Sequence, residues 1–500
     1  MNQGNENQVR LAFMHCAGRS LTCVVQAGFP RITIGALPDN VLLDIFDFRR
    51  GGRSWWPWIM LAHVCRRWRH VVFASPLRLN LWLLCTCNTP VRETLDVWPP
   101  LPIEIHLDDD PYDVDNVIAA LEDHYRVRKI SINDLTTSQL ERLAPMMQKP
   151  FPALTSLSLG TDINETAPAF PYMLLGGSAP RLRRLDLSGI PFPGLPRLLL
   201  SATNLSQLSL LGIPHTSYIS PEAMVTCLSG LTRLRYLAIE FESPTSRPNR
   251  HPPLTRVIFP ALKRLEYQGI SEYLEELVVR IDAPRLYFLR ISFFNQVIFD
   301  IQQLPYFIDH TRILRSFHQA VLTFSINHVD INLSPPKGTD SFKELHLEVC
   351  CRAVDWQVLS MAQICNQLPL LPSIVEQLDI DVDSDPEESA WHFDIEDTEW
   401  LELFRPFTAV QTLRIGFELQ SPIFLALQEL TGETAAEVLP ALDHLYVEEN
   451  YLEPDQPFES EQQAIKPFLA ARQYSDHPVA VHLWERFGGS ELEASVEMTP

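Results

Sequence analysis

The sequence predicts a mixed α/β protein, in which a small helical unit precedes an irregular array of parallel strands connected by helical returns. A short phrase of apolar residues, L-x-x-L-x-L, recurs along most of the chain and predicts the strands. Two amphipathic segments between Leu37 and Trp68 predict the helical unit. Of the 500 residues, 46% are hydrophobic and 20% are charged, which is typical of a folded protein too long for one compact core.

The first amphipathic segment is predicted to be a helix that begins near Pro38. Proline is tolerated at the first helical position, because its missing N–H would have no partner there. Asp39 falls in the first turn, where a carboxylate interacts favourably with the positive end of the helix dipole. Four apolar residues then share one helical face: Val41, Leu42, Ile45 and Phe46.

A second helix is predicted around the basic block at 66–69. Its apolar residues share one face: Leu61, Val64, Cys65, Trp68 and Val72. We expect Cys65 to be buried on that face. Neither segment can bury its apolar face within so small a unit, which leaves apolar surface for a partner.

The two segments together resemble the F-box. The matching residues are Leu37, Pro38, Val41, Leu42, Ile45, Phe46, Val64, Cys65 and Trp68. The resemblance implies that this unit binds the adaptor subunit of an SCF-type ubiquitin ligase, and through it the cullin scaffold, while the rest of the chain binds a target protein. An ordinary helical hairpin within a larger core is the alternative interpretation of the same residues.

The recurring phrase has regular and looser copies. The regular copies are Leu154-Leu157-Leu159, Leu182-Leu185-Leu187, Leu205-Leu208-Leu210, Leu234-Leu237-Ile239, Leu262-Leu265-Tyr267 and Leu286-Leu289-Ile291. The looser copies are Val127-Ile130-Ile132, Val321-Phe324-Ile326, Phe342-Leu345-Leu347, Val375-Leu378-Ile380, Val410-Leu413-Ile415 and Leu442-Leu445-Val447. Regular copies are about 23–29 residues apart, the period of leucine-rich repeats, and later intervals are irregular.

The phrase has a simple physical interpretation. Its last two apolar residues alternate, so both point to one side of a strand and the residue between them points to the other. One strand with its return cannot enclose a core, whereas a stack of them shares a continuous one. The returns are predicted to be partly helical, for example at 221–228 and 273–278. Unrelated αβ units in one or two globular domains are the alternative.

The two-part layout is similar to that of F-box proteins abundant in mushroom-forming fungi. Phrases similar to segments 89–95, 219–224 and 281–286 recur in those proteins. We therefore expect a poorly ordered leader at 1–33, the F-box at 34–80, and a leucine-rich-repeat-like solenoid that binds the target at 81–500.

Composition and charge exclude several classes of function. No apolar run is long enough to cross a membrane, and the N-terminal region lacks the continuous apolar core of a signal peptide. Nine scattered cysteines are then most simply reduced thiols, which indicates an intracellular protein of the cytoplasm, the nucleus or both. A formal net charge of −22 disfavours a nucleic-acid partner, since such proteins carry basic stripes.

The sequence contains no recognisable catalytic motif. Phosphate-binding, dinucleotide-binding, zinc-protease and hydrolase signatures do not occur in it. The acidic segment 379–385 is not a calcium loop, because Ser384 and Ala390 occupy the places of the turn glycine and the closing Glu. We therefore predict a non-catalytic protein that binds no metal or cofactor.

The target protein is expected to bind the outward face of the strands. The candidate residues lie between and beside the apolar residues of the phrase: Arg184, Asp186, Gln207, Tyr236, Arg264, Glu266, Phe288 and Arg290. Tyr and Arg are the types that most often anchor interfaces. The predicted function is the substrate-recognition subunit of an SCF-type ligase. A repeat scaffold without a ligase role, whose helical hairpin caps the array, is the alternative.

Overall fold

The computed structural model describes two compact units, Met1–Leu79 and Asn80–Pro500. The described residues are 34–48, 61, 63–74, 81–87, 90–97, 100–106, 113–161, 167–244, 256–296, 298–311, 317–335, 343–351, 354–369, 371–383, 396–430, 434, 437–448, 458–485 and 492–494. The leader predicted at 1–33 lies outside them. The first unit contains the two amphipathic segments, and the second contains all copies of the repeated phrase.

The α-helices are short. In chain order they are α1 Asp39–Phe48, α2 Arg66–Phe73, α3 Val91–Val97, α4 Val114–Glu122, α5 Thr137–Leu143, α6 Leu195–Ser201, α7 Pro221–Leu228, α8 Ser271–Val278, α9 Leu304–His310, α10 Val354–Gln367, α11 Asp397–Phe404, α12 Gln420–Gln428 and α13 Phe458–Tyr474. Single 3-10 turns occur at Ile34–Ala36, Met146–Gln148, Leu174–Gly177, His215–Ser217, Pro372–Ile374 and Phe417–Leu419.

All strands among the described residues belong to the second unit. In chain order they are β1 Leu81–Leu84, β2 Ile103–His106, β3 Val127–Leu135, β4 Ser156–Thr161, β5 Arg184–Ser188, β6 Gln207–Ile213, β7 Tyr236–Phe241, β8 Val257–Ile258, β9 Arg264–Gly269, β10 Ile281–Asp282, β11 Phe288–Phe294, β12 Gln319–Phe324, β13 His328–Ser334, β14 Glu344–Cys350, β15 Gln377–Val382, β16 Thr412–Ile415, β17 His444–Glu448, β18 Ala480–Glu485 and β19 Leu492–Ala494.

Helices α1 and α2 pack through a small apolar core. Leu42, Phe46, Val71 and Val72 are at most 5% exposed. The rings of Phe46 and Trp68 lie with their centroids 4.9 Å apart. The helical periodicity of the first segment therefore correctly predicted the burial of Leu42 and Phe46, whereas Ile45 on the same predicted face is 40% exposed.

The second segment is not the continuous helix that its periodicity predicts. Leu61, His63 and Val64 are helical, but Cys65 has extended backbone (φ −160°, ψ 169°) and α2 begins after it. Cys65 is exposed and caps α2, because its Sγ accepts a hydrogen bond from the Trp68 N–H at 3.4 Å. The prediction that Cys65 is buried is wrong, since the break interrupts the helical face on which it rested.

The second unit is organised around one 17-stranded sheet. From one edge to the other, its strands follow the order β1-β2-β3-β4-β5-β6-β7-β9-β11-β14-β13-β12-β15-β16-β17-β18-β19. Neighbours are parallel except at β13 and β19. The predicted α/β fold, a long sheet of parallel strands with helical returns, is confirmed.

Each regular phrase forms a turn followed by a strand, as its alternation predicts. Its last two apolar residues are at most 3% exposed in all six regular copies. The first leucine closes a tight turn onto the preceding segment, as in the bond from Leu182 N–H to the Ala179 carbonyl at 3.1 Å. Backbone bonds then join each phrase to the next, for example Arg183 N–H to the Thr155 carbonyl at 2.8 Å. Stacking of equivalent positions therefore builds the shared core.

The helical returns are positioned partly by buried polar groups. Glu275 on α8 is 7% exposed. Its carboxylate accepts hydrogen bonds from the N–H groups of Gln302, Gln303 and Leu304 at 2.5–2.9 Å. These donors lie at the start of α9, where helical N–H groups have no partner within the helix. One return thus caps the helix of the next.

Between β11 and β15 the order of the strands in the sheet is the reverse of their order in the chain. Strand β12 follows β11 in the chain but pairs in parallel with β15, and β14 returns to pair in parallel with β11. Strand β13 fills the space between them and is antiparallel to both. This reversal accounts for the long, irregular intervals of the phrase in this region.

The phrase predicted at Val321-Phe324-Ile326 is wrong in its register. Strand β12 ends at Phe324 and places Ala320, Leu322 and Phe324 in the core, whereas Ile326 lies beyond it and is 53% exposed. Strand pairing aligns Ala320 and Leu322 with Leu378 and Ile380 of β15, so the two inward positions lie four residues earlier than predicted.

Within the described part of the chain, no helix combines the length and apolar character needed to cross a membrane.

Candidate interaction surfaces

The F-box-like residues of the first unit divide into a buried and an exposed set. Leu42 and Phe46 belong to the core, and Leu37 and Trp68 pack partly against it. Val41 is also half-buried. The exposed set is Pro38, Ile45, Val64 and Cys65, of which Ile45 is 40% and Val64 59% exposed. Exposed isoleucine and valine side chains on so small a unit are available to a partner, whereas Leu42 and Phe46 hold the helices together.

An arginine of the basic block holds the two helices in register. Arg67 donates from Nη2 to the Leu37 carbonyl at 2.5 Å and to Asp39 Oδ1 at 2.7 Å. Its Nε also donates to Asp39 Oδ1, at 3.2 Å. The start of α1 and the start of α2 are therefore tied by a guanidinium group, and the Leu37-Pro38 pair is held beside α2.

In the second unit, the eight residues predicted for target binding all lie on the outward face of the sheet. They occupy two adjacent rows that run across the strands. The first row is Arg184, Gln207, Tyr236, Arg264 and Phe288, and the second contains Asp186, Glu266 and Arg290. Strand alternation and parallel register together bring these distant positions onto one surface.

Several of these side chains contact one another. The Tyr236 hydroxyl donates to Glu266 Oε2 at 3.0 Å. The Arg264 guanidinium carbon lies 4.1 Å from the centroid of the Phe288 ring. Arg184 pairs with Asp186. The face is therefore a connected polar surface with aromatic side chains in it.

The sheet reversal adds residues to this face that the sequence did not indicate. Because β14 pairs with β11, Glu348 lies beside Ser292 and Arg290. Its Oε2 accepts from Ser292 Oγ at 2.8 Å and from Arg290 Nη2 at 3.0 Å. The His346 ring lies between two carboxylates, 3.6 Å from Glu348 Oε2 and 3.8 Å from Asp330 Oδ2. The sequence does contain one signal for this arrangement. Residues 328–334 alternate between polar and apolar side chains, as in a strand, although they match no copy of the repeated phrase.

The carboxylates of this face have perturbed acidities. Burial would raise the pKa of Glu348, but the neighbouring His346 ring and hydrogen bonds from Ser292 and Arg290 outweigh it and hold that pKa well below its usual value. Burial, followed by the charge of Glu266, raises the pKa of Glu240. Burial also raises the pKa of Asp330, although the neighbouring histidines His346 and His328 oppose the change.

The depressed pKa of Glu348 makes a pH-dependent contribution to stability. The contribution is present above the unfolded-state pKa of the group and is lost as the pH falls through the folded-state pKa. We expect Glu348→Gln to lower the Tm at about pH 7 and to lower it less at about pH 3, where part of the wild-type contribution is gone. Thermal unfolding at both pH values measures this difference. Glu141→Gln, at an exposed position of α5, is the control. An equal Tm difference at both pH values would contradict the assignment.

A second cluster of carboxylate side chains lies near the C-terminal strands. One oxygen each from Asp381, Glu418 and Glu448 lies within 4.8 Å of the others, a spacing that a metal ion could bridge. Glu448 Oε2 already accepts the Phe417 N–H at 3.0 Å, and Asp381 Oδ1 accepts the Val382 N–H at 2.8 Å. Backbone donors thus satisfy part of this group.

Several thiols have raised pKa values. Burial raises the pKa of Cys85 and of Cys365 to about 12, with the charge of Asp113 a further cause at Cys85. Burial, followed by the charge of Glu348, raises the pKa of Cys350 to about 11. A nucleophilic cysteine requires the opposite shift.

Comparison with known proteins adds little to this geometry. No protein-family model matches the chain, and no curated protein sequence matches it. Among solved structures, the leucine-rich repeat-containing protein LegL7 from Legionella pneumophila is similar at 12% identity, with 77% of this chain and 97% of that chain covered and a TM-score of 0.27.

Proposed function

We propose that this protein is a non-catalytic substrate-recognition subunit of an SCF-type ubiquitin ligase. The first unit binds the adaptor subunit, and through it the cullin scaffold. The outward face of the sheet binds a target protein. Ubiquitin transfer is then promoted by proximity alone, because holding two reactants together removes an entropic barrier without any catalytic group on this chain.

The observation that carries the proposal is the division of the F-box-like residues into two sets. Leu42 and Phe46 provide a small core, while Ile45 and Val64 remain exposed. A hairpin that served only its own packing would gain nothing from exposing them. The raised pKa values of Cys85, Cys350 and Cys365 support a non-catalytic role, because these thiols are protonated at neutral pH.

The proposal is tested by adaptor binding of the full-length chain. We expect the double variant Ile45→Asp/Val64→Asp to bind the purified adaptor at least about thirtyfold more weakly, since the loss of even one interface anchor costs about 2 kcal/mol or more. Both side chains are exposed, so the helices remain folded. Isothermal titration calorimetry measures the affinity, and circular dichroism checks the fold.

A matched control is available on the second unit. Ile258 and Ile298 are 60% and 67% exposed, so Ile258→Asp/Ile298→Asp introduces the same charges and is expected to bind the adaptor normally. Unchanged affinity of the Ile45/Val64 variant would reject this surface as the docking site. Failure of the wild-type chain to bind any SCF adaptor would reject the ligase role and favour a repeat scaffold.

A further inference from the structure

Two arginines of the strand face, Arg264 and Arg290, are already paired within the protein. Arg290 Nη2 lies 3.0 Å from Glu348 Oε2. Arg264 lies over the Phe288 ring, and its Nη2 is 3.8 Å from Glu266 Oε1. Although each arginine side chain is nearly half exposed, its charge is matched by a neighbouring carboxylate. The arginines therefore do not form a free positive surface for an acidic partner.

Negative charge is in excess on the same face. The outward positions of β7, β9, β11, β13 and β14 carry five carboxylates and two arginines. The carboxylates are Glu240, Glu266, Asp330, Glu344 and Glu348. The formal charge of this face is −3 when His328 and His346 are neutral, so the unmatched charge on it is acidic.

Three of these carboxylates are aligned across the strands. Strand register places Glu240, Gln268, Ser292, Glu348 and Asp330 side by side, and we call these five residues the acidic row. Glu266 lies in the adjacent row. Neighbouring strands are about 4.8 Å apart, so the row is about 19 Å long. That length matches about six residues of an extended peptide.

The carboxylates at the two ends of the acidic row have raised pKa values. The pKa of Glu240 is raised by burial and then by the charge of Glu266, with Arg290 opposing. The pKa of Asp330 is raised chiefly by burial, against the opposing effect of His346 and His328. A raised pKa means that the ionised carboxylate is disfavoured in the free protein. A cation placed beside either group is therefore stabilised by it.

We propose that the acidic row binds an extended, lysine- or arginine-containing segment of the target protein. Cationic side chains of this segment lie against Glu240, Glu266 and Asp330. The aliphatic stems of those side chains contact Phe288, which is half-buried on the same face. The carboxylates project from paired strands, so little ordering opposes binding. This inference rests on the proposed role of the sheet in holding a target, and it identifies the chemistry of that target.

Fluorescence anisotropy with a defined probe tests the inference on the full-length chain. The probe is a labelled ten-residue peptide of alternating lysine and serine, compared with the same peptide carrying glutamate in place of lysine. We expect the lysine peptide to bind and the glutamate peptide not to bind. Glu240→Gln/Glu266→Gln/Asp330→Asn is expected to weaken lysine-peptide binding about tenfold or more, with a weaker dependence on salt.

A control triple separates a local site from net charge. Glu141→Gln/Glu222→Gln/Glu429→Gln makes the same change in charge at exposed positions of the helical returns, and it is expected to bind the lysine peptide as the wild type does. Equal weakening by both triples, or equal binding of both peptides, would overturn the inference. The adaptor titration is independent of this result. Adaptor binding without peptide selectivity rejects only the acidic row as a binding site. Peptide selectivity without adaptor binding rejects only the ligase role.

Discussion

Phe46→Ala is expected to unfold the first unit while the sheet of the second unit stays folded. Phe46 is 5% exposed and packs against Trp68, and the cluster around it has four buried members among the described residues. Truncating a buried aromatic side chain costs about 3–5 kcal/mol. A unit this small has little stability to lose. Adaptor binding is expected to be lost together with the fold of the unit.

Hydrogen–deuterium exchange on the full-length chain measures this result locally. Peptides from α1 and α2 are expected to exchange rapidly in Phe46→Ala, and peptides from β4 to β7 are expected to remain protected. Asp44→Ala is the control, because Asp44 is exposed on the same helix. Protection of α1 and α2 in the Phe46 variant would show that the small core is not what holds this unit together.

Tyr273→Ala is expected to be the most damaging single truncation in the central repeats. Tyr273 on α8 is fully buried, and its ring lies 4.8 Å from that of Phe241 at the end of β7 and 6.0 Å from that of Tyr267 on β9. Its hydroxyl donates to the Ile219 carbonyl at 2.9 Å. The side chain thus joins several repeats, so we expect a loss of about 3–5 kcal/mol that spreads to neighbours in the array.

Two companion variants separate the contributions of ring and hydroxyl. Tyr273→Phe keeps the ring and leaves the Ile219 carbonyl without its donor, so it is expected to cost less, about 1–3 kcal/mol. Tyr306→Ala removes a tyrosine that is 64% exposed and is expected to leave the Tm unchanged. Thermal unfolding and hydrogen exchange at β7, β9 and α8 measure all three. Equal losses in Tyr273→Ala and Tyr306→Ala would contradict the central packing role of Tyr273.

The recurring phrase predicted the strands because the alternation that identifies a strand involves only neighbouring residues. In the copy Leu182-Leu185-Leu187, the alternation of two leucines identifies the inward face of β5 without knowledge of any partner strand. The same holds for α7, where Ser220 caps the helix and Pro221 occupies its first turn. Regular copies also imply equivalent register, and this brought Arg264, Phe288 and their neighbours correctly onto one surface.

Two predictions were wrong because a regular sequence pattern was extended across a local change in backbone structure. The helical period continues through Cys65, but one residue in extended conformation separates the helical turns. The phrase at Val321-Phe324-Ile326 fits by spacing, but its two inward positions lie four residues earlier, at Ala320 and Leu322. In both places the backbone departs from the pattern over only a few residues, and the composition of the surrounding sequence does not reveal the departure.

The sequence by itself determined the repeat, the parallel strands and the outward positions, because alternation and period are properties of neighbouring residues. Only the tertiary structure decided which charges meet. Arg290 and Glu348 are 58 residues apart and become partners because β14 pairs with β11 across the reversal. The arginines that the sequence suggests as interface anchors are therefore neutralised by carboxylates within the protein. The remaining carboxylates determine the net charge of the outward face. Long-range strand pairing creates that balance, and no local pattern contains it.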